Sequence, residues 1–236
     1  MVNSNPSVLK NVSIISLFLG DRGSGKSLSC TAWAYHFWRQ GFKILTNYNL
    51  FFVEHLSRLL DYRLDVTDIK KMGLYTPQKW DIDFFLDHMQ DEEMLNTTLL
   101  LDEAYLYMDK RNSSSKMNKM FSWFVAQTRK KNVNLLICVQ KENLIEFRLE
   151  QAATHFIKCS PLGKTGRFIN LVKNRKNGER FTQIVNGPDY FDMYETDEMI
   201  QPPQSPIRSK YIDKDDIESI VSIRELPEGR NNGGVR

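Results

Sequence analysis

Two short groups of residues have types and spacings that do chemistry. The first, Gly20-Asp21-Arg22-Gly23-Ser24-Gly25-Lys26-Ser27, fits G-x-x-x-x-G-K-[ST] at every fixed position. Glycines at these places let backbone N–H groups turn inward around phosphate oxygens. A lysine placed as Lys26 is reaches β- and γ-phosphates, and a hydroxyl placed as that of Ser27 is suits Mg²⁺. The nucleotide-binding set is read as Gly20, Asp21, Arg22, Gly23, Ser24, Gly25, Lys26 and Ser27, with Ser29 two positions further on. ATP and Mg²⁺ are the expected cofactors. The second group is Asp102-Glu103, directly after Leu99-Leu100-Leu101. Asp102 is expected to share the metal with Ser27, and Glu103 to polarise an attacking water. A glutamate there favours hydrolysis over a simple nucleotide switch. The plain alternatives are a glycine-rich turn that happens to hold a lysine and a strand end returning to solvent with two charges. Finding both groups in one chain argues against each. Lys26 and Glu103 head the catalytic set. Gln140, which ends a later apolar run, is expected to sense the γ-phosphate or orient water. Asn47 has the same location logic after an earlier run.

Elements must bring these residues to one edge. Ser13–Leu19 is a short apolar run ending at Gly20, the pattern of a buried parallel strand. Residues 25–40 hold no proline and read as a helix stopped by Gly41. Phe42–Asn47 reads as a second strand, making a right-handed strand–helix–strand unit. Further strands are read at Thr97–Leu101, Asn134–Val139 and His155–Cys159, with helices over 116–130 and 144–152 and a polar loop from Asp109 to Ser115. Shorter helices are expected near Leu56–Leu60 and Phe84–Met89, the latter starting near Asp81 or Asp83. After Pro161, two apolar segments flank Lys176-Asn177-Gly178, which predicts a β-hairpin. From about Asp197 the chain is polar and rich in proline and glycine, so residues 1–196 form the expected domain. Residues 197–236 are read as a tail with one short helix near Asp213–Ile223.

Composition bounds the rest. At 236 residues, with 41% hydrophobic and 26% charged, the chain is an ordinary globular α/β candidate, which excludes full disorder and fibrous classes. Cys30, Cys138 and Cys159 are scattered and odd in number, and the four histidines are isolated, so neither disulfide framework nor metal-ligand spacing is present. No apolar run approaches the roughly 20 residues that span a bilayer, and the N-terminal stretch lacks a signal-peptide centre. The simplest expectation is a cytoplasmic protein. The net charge of +3 hides two basic segments. Residues 109–131 carry seven cations against one acid, and residues 158–180 the same. Such segments favour nucleic-acid backbones, although a solvated surface is the ordinary reading of a charge run. Trp33, Phe37, Trp38, Trp123 and Phe124 are read as core or subunit interface.

GDRGSGKS, LLLDEA and ICVQ together resemble the Walker A, Walker B and glutamine strand end of the additional-strand, catalytic-glutamate P-loop ATPases, in their FtsK–HerA branch. ILTNYNL and FDMYET resemble the zonula occludens toxin-like family of phage assembly ATPases. The genome-packaging ATPases of membrane-containing viruses are the other similar group. The resemblance covers roughly residues 13–196. It implies a P-loop NTPase fold with a mainly parallel sheet ordered 5-1-4-3-2, flanked by helices. It also implies a ring, expected as a hexamer, in which an arginine completes a neighbour's site. Arg129, Arg148 and Arg167 are candidates, and Arg148 is favoured because it follows the Gln140 strand. The toxin-like proteins normally carry a membrane-spanning segment after this domain. None appears here, which shifts the expectation toward a genome-packaging or DNA-translocating ATPase acting on double-stranded DNA. The alternative is a virion-assembly or secretion ATPase acting on protein, with a virion, portal or membrane partner. A non-hydrolysing nucleotide scaffold is a third reading, disfavoured by Glu103.

Overall fold

The computed structural model describes residues 13–80, 88–89, 92–106, 116–141, 144 and 147–195. The 109–115 loop, most of the helix expected around Phe84–Met89 and the tail from 197 onward lie outside the described residues. The elements are β1 (Ile15–Leu19), α1 (Lys26–Arg39), β2 (Lys43–Thr46), α2 (Phe52–Leu59), α3 (Val66–Lys71), β3 (Gln78–Lys79), β4 (Thr97–Leu101), α4 (Lys116–Lys131), β5 (Asn134–Val139), α5 (Phe147–Ala152), β6 (His155–Pro161), β7 (Arg167–Asn174) and β8 (Arg180–Asn186).

β1, β4 and β5 are buried at every position. A strand covered on both faces has no reason to alternate, which is why each reads as a continuous apolar run. They pair in parallel at the centre of one eight-stranded sheet ordered β3-β2-β4-β5-β1-β6-β7-β8. From β6 through β1, β5 and β4 to β2, the five expected strands stand in the 5-1-4-3-2 order. The hairpin forms as expected. Gly178 takes φ 74°, and Gly178 N–H donates to the Asn174 carbonyl at 3.0 Å. It does not hang from the sheet but extends it, because β7 pairs antiparallel with β6 over seven residue pairs.

The two faces are covered unequally. On one, α1, α2 and α3 pack Phe37, Trp38, Phe52, Leu56 and Ile69 against Phe18, Leu100, Leu136 and Ile157, and the layer reaches Val172 on β7. On the other, Met120, Phe121, Phe124 and Val125 of α4 cover Leu99, Leu101, Leu135 and Ile137, and the layer ends at Phe156 on β6. Each of these large side chains contributes about 1.5–3 kcal/mol by leaving water. Beyond Phe156 the outer face of β7 and β8 is open, with Leu171 and Ile184 half exposed. A final strap, 187–195, returns over α2. Phe51 N–H donates to the Met193 carbonyl at 2.8 Å, and Asp192 meets His55 at 3.1 Å and Arg58 at 2.6 Å. Among the described residues, no helix is long and apolar enough to cross a membrane.

Candidate nucleotide-phosphate site

β1 ends at Leu19 and α1 begins at Lys26, so six residues must reverse the chain. Gly25 does so at φ 84°, and a Cβ there would come within 2.3 Å of the Phe168 ring. At Gly20 a Cβ would come within 2.7 Å of the Cys159 carbonyl oxygen. Only glycine fits either place, so strands β6 and β7 press directly on the loop. Within it Ser24 N–H donates to the Asp21 carbonyl at 3.1 Å, and Lys26 Nζ donates to the same oxygen at 3.0 Å. No side chain caps α1, and its first turn holds no acid. Its orphan N–H groups and positive dipole end are thus left for an anion. Ser24 Oγ is buried without a hydrogen-bond partner. Uncapped N–H groups, a curled lysine and an orphan hydroxyl together fit a phosphate chain.

The acidic pair arrives at the same place from β4. Ser27 Oγ donates to Asp102 Oδ2 at 2.5 Å, 75 residues away in sequence. Asp102 Oδ1 accepts the Glu103 N–H at 2.9 Å. Asn47 brackets the same residue: Asp102 N–H donates to Asn47 Oδ1, and Asn47 Nδ2 donates to the Asp102 carbonyl, both at 2.9 Å. Burial pushes the Asp102 carboxyl above its ordinary range, against the pull of Ser27 and the Lys26 charge. Burial, then the neighbouring Asp102 charge, raises Glu103 as well, opposed by Lys26, Tyr105 and Gln140. Glu103 Oε2 is buried with no hydrogen-bond partner. Two carboxyls share the edge with Lys26. Hard oxygen donors from Ser27 and Asp102 fit Mg²⁺ there.

The expected residues divide. Gly20–Ser27, Asp102, Glu103 and Gln140 come together, with Gln140 in hydrogen-bonding reach of Glu103 rather than standing alone at a strand end. Ser29 does not join them. Its hydroxyl is buried and donates to Asn170 Oδ1 at 3.0 Å, so it ties α1 to β7 and leaves the nucleotide-binding set. Arg148 sits half-buried in the first turn of α5. Tyr105, in the 3₁₀ turn Ala104–Leu106, was not singled out in the sequence, and no motif marks it, yet it reaches the Glu103 carboxylate. The cysteines, scattered in sequence, are gathered by the fold. All three are buried, Cys138 is within hydrogen-bonding reach of Cys30, and burial pushes the Cys159 thiol up to about 12.

The family described as Zonular occludens toxin (Zot) matches residues 14–195. No curated protein matches the chain. Among solved structures, the N-terminal domain of zonular occludens toxin from Neisseria meningitidis is similar with a TM-score of 0.53 at 18% identity, over 78% of this chain and 100% of that one. The genome packaging NTPase of Sulfolobus turreted icosahedral virus 2, in complex with AMPPCP, gives a TM-score of 0.50 at 13% identity, over 72% of this chain and 97% of that one. At these identities the likeness is one of fold, that of a P-loop NTPase.

Proposed function

This chain belongs to the zonular occludens toxin family, and from that premise we propose a Mg²⁺-ATP-hydrolysing P-loop motor of virus assembly that moves DNA. The observation that carries this reading is the meeting of Ser27, Asp102 and Glu103 before the uncapped start of α1. The loop N–H groups and Lys26 hold the β- and γ-phosphates. Ser27 and Asp102 hold Mg²⁺, which when bound neutralises charge on the phosphate oxygens. Glu103 accepts the proton of the attacking water, and Gln140 orients the glutamate or that water. Arg148 is kept as the residue offered to a neighbour in a hexameric ring. Residues 1–196 form the ATPase domain in this reading and 197–236 an appended tail, with a cytoplasmic site of action and a portal or membrane protein as further partner.

DNA is favoured by the open hairpin face. Register places Lys158, Arg167, Lys173 and Arg180 on it with no acid among its strand positions. All four are exposed. A cation-only face binds phosphate backbones by counterion release without reading sequence. The second reading, a virion-assembly ATPase acting on protein, is favoured by ILTNYNL and FDMYET, the segments that resemble the phage assembly ATPases. ATP hydrolysis by the full chain with and without double-stranded DNA separates the two. DNA-stimulated turnover is expected. Turnover indifferent to DNA would transfer the proposal to the protein-directed motor.

A further inference from the structure

The last rung of the β2–β4 ladder is made by a side chain. Backbone pairing runs in parallel to Thr46 opposite Leu100, after which the β2 strand ends. Asn47 then takes over with its amide group, accepting from the Asp102 N–H and donating to the Asp102 carbonyl. The carbonyl it holds belongs to the Asp102–Glu103 peptide. The N–H of that same peptide is held by Asp102 Oδ1. Both polar ends of one peptide plane are therefore fixed, and the next residue, Glu103, stands at φ 49°. A non-glycine residue in the left-handed region is strained and persists where its surroundings over-determine it. This peptide plane is what sets the direction in which the Glu103 side chain leaves the strand.

Asn47 is itself firmly seated. It is 6% exposed, and the next residue, Tyr48, is buried with its hydroxyl 3.0 Å from Thr31 Oγ1 on α1. The Tyr48 ring also meets that of Tyr194 on the strap, edge to face, at 6.2 Å. On the sequence alone Asn47 shares the expectation stated for Gln140, sensing the γ-phosphate or orienting water. Its carbonyl oxygen and its amide nitrogen are instead engaged by the backbone of the acidic pair.

We propose that Asn47 is a positioning residue that clamps the Asp102–Glu103 peptide and so holds Glu103 in its strained backbone conformation. The proposal rests on reading Glu103 as the base. Replacing Asn47 by Ala removes both hydrogen bonds. Asn47→Asp is nearly isosteric and keeps the acceptor, but replaces the donor with a charged oxygen that the Asp102 carbonyl repels, and so breaks the carbonyl contact. In steady-state hydrolysis both variants are expected to lower kcat about 10- to 100-fold, the scale of a misplaced reacting group, with KM for ATP changed by less than about threefold. A raised KM with kcat unchanged would make Asn47 a phosphate contact and overturn the clamp.

A second readout needs no activity. Glycine tolerates φ 49° without strain, so Glu103→Gly relieves whatever strain the clamp enforces. The thermal unfolding midpoint should respond to Glu103→Gly more favourably in the otherwise native chain than in the Asn47→Ala chain, by about 2–4 °C. Equal responses in both backgrounds would overturn the proposal. If the native chain hydrolyses no ATP, the functional reading fails, and this unfolding cycle still decides the clamp.

Discussion

The sheet has two halves that obey different rules. In the parallel half, β1, β4 and β5 have no exposed position, and helices lie on both sides. In the antiparallel half, β7 and β8 alternate, with Val172 and Val185 inward and Leu171 and Ile184 outward. The first half carries the candidate site, because parallel strands end together and deliver Gly20, Asn47, Asp102 and Gln140 to one edge. The second half braces that site from the side. Phe168 packs on Gly25, Asn170 holds Ser29, and Gln183 accepts from Trp33 Nε1 at 2.8 Å. Its other face meets solvent with cations. One half is thus built for burial and for gathering the candidate site, the other for bracing it.

The difference is sharpest in core truncations. Leu136→Ala, at a fully buried β5 position, is expected to cost about 2–5 kcal/mol in denaturant unfolding. Ile184→Ala, 54% exposed on β8, is expected to stay within about 0.5 kcal/mol. Similar costs at the two sites would erase the distinction.

Next in size is the joint between the halves. Asn170 is buried, accepts from Ser29 and donates to Gln183 Oε1 at 3.4 Å. Asn170→Ala leaves the Ser29 hydroxyl without its acceptor in the core, and about 1–3 kcal/mol of stability should be lost. A loss under about 0.5 kcal/mol would mean the hairpin merely adjoins α1.

Substituting Gln for Lys158, Lys173 and Arg180 together probes the outer face. The slope of log affinity for DNA against log salt should become shallower by roughly 0.9 for each phosphate contact removed, while the unfolding midpoint stays unmoved. An unchanged slope would leave the face without a role in DNA contact.

The smallest effect is expected at alkaline pH. Burial, then the Asp102 charge, lifts the Tyr194 hydroxyl to about 12 from an ordinary value of 10.0. Between these values the unfolded chain has lost the proton that the folded chain keeps. Stability is therefore complete below pH 10 and falls as pH rises toward 12. Tyr194→Phe should flatten that part of the pH–stability curve, and an unaltered decline would discount the strap's burial of this ring.

Legibility in the sequence followed the same division. Strands buried on both faces show as plain apolar runs, so Ile15–Leu19, Thr97–Leu101 and Asn134–Val139 were readable, and the Asn177-Gly178 turn announced the hairpin. That β7 would join the sheet was not read, although the signal is local: β6 and β7 form a hairpin across Leu162–Gly166, where Gly163 and Gly166 take positive φ. Glycines and acids at the phosphate edge were readable because their chemistry demands those residue types. Supporting residues were not. Asn47 acts through a backbone bracket, Tyr105 through reach to a carboxylate, and Ser29 through a partner 141 residues away. Each depends on a placement in the fold that no spacing in the sequence marks.

The central claim is that Glu103 is the base of an ATP-hydrolysing site. ATP binding and turnover of the Glu103→Gln chain, measured beside the native chain, test it most directly. The account predicts ATP affinity within about threefold of native and turnover lower by about 10²- to 10⁴-fold. Native turnover in Glu103→Gln would contradict it.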